Sequence, residues 1–186
     1  HPPAQRGMEA SRPRTETGHL LFLPAVGAQP SPTPTPPPEP TRHWDPRLDQ
    51  RGAELRPAVV PVGQGYWRLV KAVWFDEQES EGRHHIFVDA RNPQNERVVD
   101  LPVRIYWNEG ETIIRTQAKP GEPYAGDFGM FALAPAYGAK PNDGNLADEL
   151  WGMGLGSIED PFHSIHTSYG LTWQWVISGG ATATPS

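Results

Sequence analysis

The chain contains no cysteine among its 186 residues. Without thiols it can form neither a disulfide framework nor a thiolate metal site, and it has no cysteine nucleophile. Asn-x-Ser/Thr sequences are missing as well, so the sequence offers no acceptor for N-linked sugar. The disulfide-rich and zinc-ribbon classes of small domain are therefore excluded.

Long apolar runs and an excess of positive charge are also absent. No apolar stretch approaches the roughly 20 residues that a membrane-spanning helix needs. The formal net charge is -6, whereas nucleic acids and anionic membrane surfaces favour basic patches on their partners. We therefore expect no membrane span and no nucleic-acid partner.

The sequence lacks the familiar catalytic signatures. It has no Gly-x-Ser-x-Gly elbow, no phosphate-binding loop and no dinucleotide fingerprint. Carboxylates are abundant, but a glycosidase pair needs a cleft, so their number alone does not identify one. We predict that the protein is not an enzyme, has no catalytic residues and uses no cofactor.

Seven histidines and one acidic loop raise the question of a metal ion. His84 and His85 are adjacent, and because neighbouring side chains of a strand point to opposite faces, we expect them not to share an ion. Residues 142–149 offer oxygen ligands for calcium but lack the ligand order of an EF-hand, which favours a solvated turn and leaves calcium binding open. No metal site is predicted.

Proline is the residue present in excess, with 22 in the chain. Residues 30–40 are dense in it and favour the stiff polyproline II conformation. This tract divides the chain into an N-terminal arm (1–28), a Pro-rich linker (29–43) and a β-domain (44–186). The composition favours a secreted, extracellular or cell-surface protein, and Thr33 and Thr35 are candidates for O-linked sugars.

The strongly apolar segment of the arm lies at residues 18–26. It contains Leu20, Leu21, Phe22, Leu23 and Val26, with Pro24 among them. Each of them would contribute about 1.5–3 kcal/mol to an assembly when fully buried, before ordering costs. We predict a β-strand that adds to a sheet edge, where Pro24 is tolerated. The sequence leaves open whether that sheet belongs to another copy or to the same chain.

The remaining chain shows the alternation of β-strands. Alternating or β-rich segments occur at residues 66–75, 83–90, 98–107, 112–116, 127–133, 147–154 and 168–177. Alternation places Trp67, Leu69, Val73 and Phe75 on one face of the first segment. Strands at such close intervals, with no convincing helix between them, predict an all-β sandwich.

One run carries a resemblance to known proteins. From Asp89 to Thr112 a strand ends in Asp, a polar turn follows at residues 92–96, and the strand at 102–107 leads into a hairpin containing Gly110. Over residues 86–133 this pattern resembles bacterial Ig-like and carboxypeptidase-regulatory-like surface domains. The resemblance implies an Ig-like antiparallel β-sandwich without catalytic machinery, used as a spacer, adhesive module or assembly unit. An apolar arm beside a sandwich is also similar, in architecture, to donor-strand-exchanging filament subunits.

These observations lead to two functional expectations. The first is a structural subunit of an extracellular filament or surface assembly, a homopolymer joined head-to-tail when residues 20–26 enter a neighbouring copy's sandwich. The second is a secreted carbohydrate-binding module, because exposed tryptophans on sandwiches bind glycans by stacking. Alternation puts Trp67, Trp107, Trp173 and Trp175 in the core and leaves Trp74 and Trp151 as the exposed candidates.

Overall fold

The computed structural model describes residues 38–179, which form two β-sheets of five strands each. The prediction of an all-β sandwich is confirmed. In chain order the elements are β1 (His43–Trp44), α1 (Arg47–Gln50), β2 (Glu54–Arg56), β3 (Gly65–Phe75), α2 (Glu77–Ser80), β4 (His85–Arg91), β5 (Pro102–Trp107), β6 (Gly110–Arg115), β7 (Gly126–Gly129), β8 (Tyr137–Pro141), β9 (Glu149–Met153) and β10 (Ser168–Ile177).

Sheet A has the strand order β1-β3-β10-β4-β7, and sheet B has the order β2-β9-β8-β5-β6. Within the described residues no helix is long and apolar enough to cross a membrane. The assembly strand predicted at Leu20, Leu21, Phe22, Leu23, Pro24 and Val26 lies outside the described residues. So do the predicted O-glycosylation positions Thr33 and Thr35.

Sheet A corrects the expectation of an antiparallel sandwich. β4 and β10 are parallel neighbours, and β1 also pairs in parallel with β3. Parallel partners need a long crossover, and the chain between β4 and β10 provides one by building four strands of sheet B on the way. The sandwich is therefore mixed in sheet A and antiparallel in sheet B.

The face assignment was wrong for the second half of β3. The pairing with β10 shifts register where Thr172 pairs with Lys71 and Trp173 pairs with Leu69, so one extra residue sits in β3. An extra residue reverses the faces of everything that follows it. Trp67 and Leu69 belong to the core as predicted, but Val73 and Phe75 lie on the outer face of sheet A.

β8 was not anticipated from the sequence. Its residues, Tyr-Gly-Ala-Lys-Pro, include glycine and proline, which are depleted in strands. Tertiary pairing overrides this preference, since β8 is held between β5 and β9. The core that results is continuous between the sheets, with Ile86, Ile105 and Trp173 fully buried.

The end of the Pro-rich segment docks on the sandwich before β1 begins. Glu39 forms an ion pair with Arg68 (2.6 Å), and Arg42 binds the Leu69 carbonyl oxygen (2.7 Å) and Asp148 (2.8 Å). Asp148 is buried and also accepts hydrogen bonds from two backbone N–H groups. Residues 39–43, assigned to the linker from the sequence, therefore contact β3 and its neighbours.

Candidate functional site

One side of the sandwich carries the longest open strand edge. β6 ends sheet B and has six residues, whereas the other terminal strands, β7, β2 and β1, have four, three and two. No strand among residues 38–179 pairs with the outer side of β6. Ile113 is exposed on it, so the edge offers apolar surface as well as unpaired backbone groups.

A group of aromatic rings lies beside the beginning of β6. We call Trp107, Phe128, Phe131 and Tyr137 the Phe131 cluster; the Phe131 ring lies 5.6 Å from Trp107 and 5.7 Å from Tyr137, and Phe128 lies 5.7 Å from Trp107. Gly110, the first residue of β6, packs on the Trp107 ring, and a Cβ there would be 3.1 Å from it. The cluster therefore adjoins the first residue of the open-edge strand.

Phe131 is held in place although it is 65% exposed. The buried Tyr137 hydroxyl accepts hydrogen bonds from the backbone N–H groups of Phe131 (2.9 Å) and Ala132 (3.0 Å). Because the backbone that carries this large apolar side chain is already fixed, binding a partner costs little further backbone entropy. Such rigid aromatic anchors are typical of interface centres.

Trp74, predicted to be exposed, is buried. Only 2% of its surface is accessible, because the extra residue in β3 turns it into the core. The guanidinium groups of Arg47 and Arg51 lie 5.3 and 5.7 Å from its ring centre. The expectation that Trp74 is available for sugar stacking is therefore wrong.

Trp151 lies on the outer face of sheet B, but its ring is already partnered. Its ring is nearly parallel to that of Tyr106, with an interplanar angle of 16° and centres 5.5 Å apart. Arg56 lies over the Trp151 ring and Arg104 over the Tyr106 ring, at 5.1 and 4.6 Å. A sugar would have to displace an arginine from this stack.

Sheet A carries a recess on its outer face, which we call the sheet A recess. Its cavity volume is about 230 Å³. Strands β3, β4, β7 and β10 form its floor, and the loop of residues 116–125 and the turn after α2 form its rim. It is lined by three aromatic residues, Phe75, Phe87 and Tyr124, by four charged residues, Arg83, Lys119, Glu122 and Asp127, and by Ser80, Pro123, Gly126 and Ser168.

An ion-paired clamp holds the rim loop against the sheet. Asp89, only 1% exposed, binds Arg91 (2.6 Å) and Arg97 (2.8 Å). Arg97 also donates hydrogen bonds to three loop carbonyl oxygens, those of Ala118 (2.9 Å), Lys119 (2.8 Å) and Glu122 (2.7 Å). The recess is therefore formed before any ligand arrives.

Tyr124 fills the gap between the loop and the sheet. It packs over Gly170, where a Cβ would collide with its hydroxyl, and its ring centre lies 5.5 Å from that of Phe87. Burial, helped by the charge of Asp89, raises the pKa of Tyr124 to about 12. At neutral pH its hydroxyl therefore stays protonated and can donate a hydrogen bond.

Three histidines meet near the recess, although His84 and His85 were expected to point to opposite faces of a strand. Their rings lie 5.1 Å apart, and His166 lies 4.6 Å from His84. His84 precedes β4, so strand alternation does not separate it from His85. Burial lowers the pKa of His85, opposed by Asp127 at 3.8 Å. In the described part of the chain, no three His, Asp or Glu side chains are arranged to hold a metal ion.

The acidic loop at residues 142–149 uses its carboxylates internally. Asp143 accepts a hydrogen bond from the Trp67 indole (2.9 Å), and Asp148 is bound by Arg42. Glu149 accepts hydrogen bonds from Arg56 (3.2 Å) and Tyr106 (2.5 Å). These side chains have protein donors in different parts of the sandwich.

Sequence reasoning missed the sheet A recess altogether. Residues 119–124 read as a plain connection, because Lys-Pro-Gly-Glu-Pro is turn-like. The available signal was the aromatic Tyr124 after this turn, but its docking site on Gly170 depends on the pairing of β10 with β4. Comparisons with protein families, with curated proteins and with solved structures find no match for this chain.

Proposed function

We propose that this protein is a structural subunit of an extracellular or cell-surface assembly. Residues 20–26 of one copy add as a strand to the β6 edge of the next copy. The observation that carries the proposal is the six-residue open edge of β6, whose first residue, Gly110, adjoins the Phe131 cluster through Trp107. Strand addition to an exposed sheet edge is a recurring mode of protein recognition.

The backbone of β6 fits this role. An edge strand has unpaired N–H and C=O groups on its outer side, and an added strand satisfies them. Gly110–Arg115 is long enough to pair with residues 20–23. Pro24 has no N–H and limits the pairing there, which suits an added strand at an edge rather than one at the centre of a sheet.

The side chains of the arm complement the apolar surface at this edge. Along an extended strand Leu20 and Phe22 point to one face and Leu21 and Leu23 to the other. One pair would then meet the Phe131 cluster, and the other would lie beside Ile113. Moving such side chains out of water supplies about 1.5–3 kcal/mol each when fully buried.

The place where the tether leaves the sandwich favours head-to-tail joining. Glu39 docks on Arg68 of β3, toward the β1 end of sheet A. β6 lies at the opposite side, next to β7, where a Cβ on Gly126 would come 3.4 Å from the Arg115 carbonyl oxygen. A connector on one side and an acceptor on the other make a heterologous contact, which builds a filament when its rotation does not close.

We also propose that the sandwich belongs to the Ig-like surface type and that the protein is secreted or displayed on the cell surface. Support for the first point is local: Asp89 lies in β4, residues 92–96 form a turn, and β5 pairs with β6 as a hairpin. The proline content supports the second point.

Two variants test the assembly. Deleting residues 1–28 removes the donor strand and leaves residues 38–179 unchanged, so the truncated protein should stay monomeric by analytical ultracentrifugation and form no fibres in electron micrographs. Phe131→Ala in the full chain should weaken assembly. Phe162→Ala is its matched control, because Phe162 is 82% exposed and lies in the chain between β9 and β10. The proposal fails when the truncated protein polymerises as well as the full chain.

A further inference from the structure

The sheet A recess has the size of a site for one small ring. Its volume of about 230 Å³ is below the roughly 300–1,000 Å³ of sites for drug-sized ligands. The Asp89–Arg97 clamp fixes the rim loop, so binding would not require the loop to fold first. A preformed concave site that is partly aromatic and carries a few polar groups is the usual form of a small-ligand site.

The charges around the recess favour a neutral ligand. Arg83 and Lys119 contribute two cations, and Glu122 and Asp127 contribute two anions, so the formal charges cancel. Lys119 and Asp127 are paired with each other at 3.0 Å. A polyanion or a polycation would gain little net attraction from such a rim, whereas a ligand with many hydroxyl groups would find both donors and acceptors.

One hydroxyl group in the recess is ready to bind a ligand. The Tyr124 hydroxyl has no hydrogen-bond partner within residues 38–179. The Ser168 hydroxyl lines the recess but is fully buried and accepts a hydrogen bond from the backbone N–H of His85 (3.1 Å), so it belongs to the floor. Phe75, Phe87 and Tyr124 form the apolar wall, and Arg83 lies over the Phe87 ring at 5.4 Å.

We propose that the sheet A recess binds one uncharged pyranose, the terminal sugar of a glycan. The C–H groups of the sugar ring lie against Phe75 and Tyr124, and its hydroxyls bond to Tyr124 and the charged rim. A purely apolar ligand would leave those polar groups without water or partners, which is costly. This inference is independent of strand addition, and it moves the sugar site from Trp74 and Trp151 to the outer face of sheet A.

The test uses the full chain and a panel of methyl glycosides: glucoside, galactoside, mannoside and N-acetylglucosaminide. Binding is followed by saturation-transfer NMR, and the affinity of the best glycoside by titration. Tyr124→Phe keeps the ring and removes the hydroxyl, so it should weaken binding about tenfold. Phe87→Ala removes the ring that packs on Tyr124 and should weaken binding, and Phe162→Ala, which does not line the recess, should leave binding unchanged.

Other outcomes overturn the inference. The inference fails if the unmodified chain binds none of the glycosides. It also fails if Tyr124→Phe and Phe87→Ala bind a glycoside with the same affinity as the unmodified chain. If Trp151→Ala loses glycoside binding and the recess variants do not, the sugar binds on sheet B. If the protein binds N-acetylphenylalanine amide and no glycoside, the recess is a peptide site. Deleting residues 1–28 should not affect sugar binding, so failure here and failure of assembly are separate results.

Discussion

Arg97→Ala is expected to be among the most damaging surface-loop substitutions in the protein. The arginine is 13% exposed and joins the buried Asp89 to three backbone carbonyl oxygens of the loop at residues 116–125. Its loss would remove one of the two cations that neutralise Asp89 and the donors that hold the rim of the recess. Arg91, at 2.6 Å, would remain beside Asp89.

The magnitude follows from which groups lose their partners. Removing one partner of a buried ion pair typically costs about 3–5 kcal/mol, and hydrogen bonds to charged groups contribute about 1.5–3 kcal/mol. The remaining arginine and the access of water to the loop carbonyls reduce the total, so we expect a loss of about 3 kcal/mol in the free energy of unfolding. Arg115→Ala is the matched control, because Arg115 is 56% exposed and, within residues 38–179, pairs only with Asp100 at the surface. Its expected cost is about 0–1 kcal/mol.

Urea unfolding of the three proteins under identical conditions measures these costs. We predict that Arg97→Ala strongly lowers the urea concentration at the unfolding midpoint and also weakens glycoside binding, whereas Arg115→Ala changes neither. A cost for Arg97→Ala no larger than that for Arg115→Ala would show that the loop does not depend on the clamp.

Two further predictions concern the sandwich itself. Burial opposes ionisation of Asp143, but hydrogen bonds from Trp67 and Asn145 lower its pKa below the ordinary 3.8. The stabilisation of the fold by this carboxylate is therefore complete above the ordinary pKa and is lost as pH falls through the lower pKa of the folded protein. The free energy of unfolding of Asp143→Asn, measured by urea titration, should therefore fall less between about pH 5 and pH 2 than that of the unmodified protein. An equal pH dependence of the two proteins would contradict this. Gly138→Ala should cost about 1–3 kcal/mol, since its Cβ would collide with the Tyr106 ring; a cost near zero by thermal unfolding would show that Tyr106 moves freely.

The strands were predictable because one physical rule governs most of them. Ile86, Val88 and Ala90 alternate with His85, Phe87 and Asp89, and the buried faces are the ones that alternation indicates. The same rule failed in β3, where one extra residue turns Trp74 inward and Phe75 outward. Whether a strand carries an extra residue depends on its partner strand, which a single sequence does not specify.

The candidate sites were less predictable than the strands, because each combines residues distant in sequence. Phe131 is anchored by the Tyr137 hydroxyl and packs on Trp107, and Tyr124 docks on Gly170. Such contacts depend on sheet order and register, including the parallel pairing of β4 with β10. The sequence could indicate an apolar arm and an all-β body, but it could not show which edge is open or where a recess forms.

Strand addition between copies is tested most directly by mixing two variants that cannot assemble alone. The chain lacking residues 1–28 keeps the acceptor edge but has no donor strand. Full-length Ile113→Lys combined with Phe131→Ala keeps the donor but carries a charge on the β6 edge and lacks the aromatic anchor. Each should sediment as a monomer, and their mixture should form a 1:1 complex that grows no further. A mixture that remains monomeric while the unmodified chain polymerises would contradict the account.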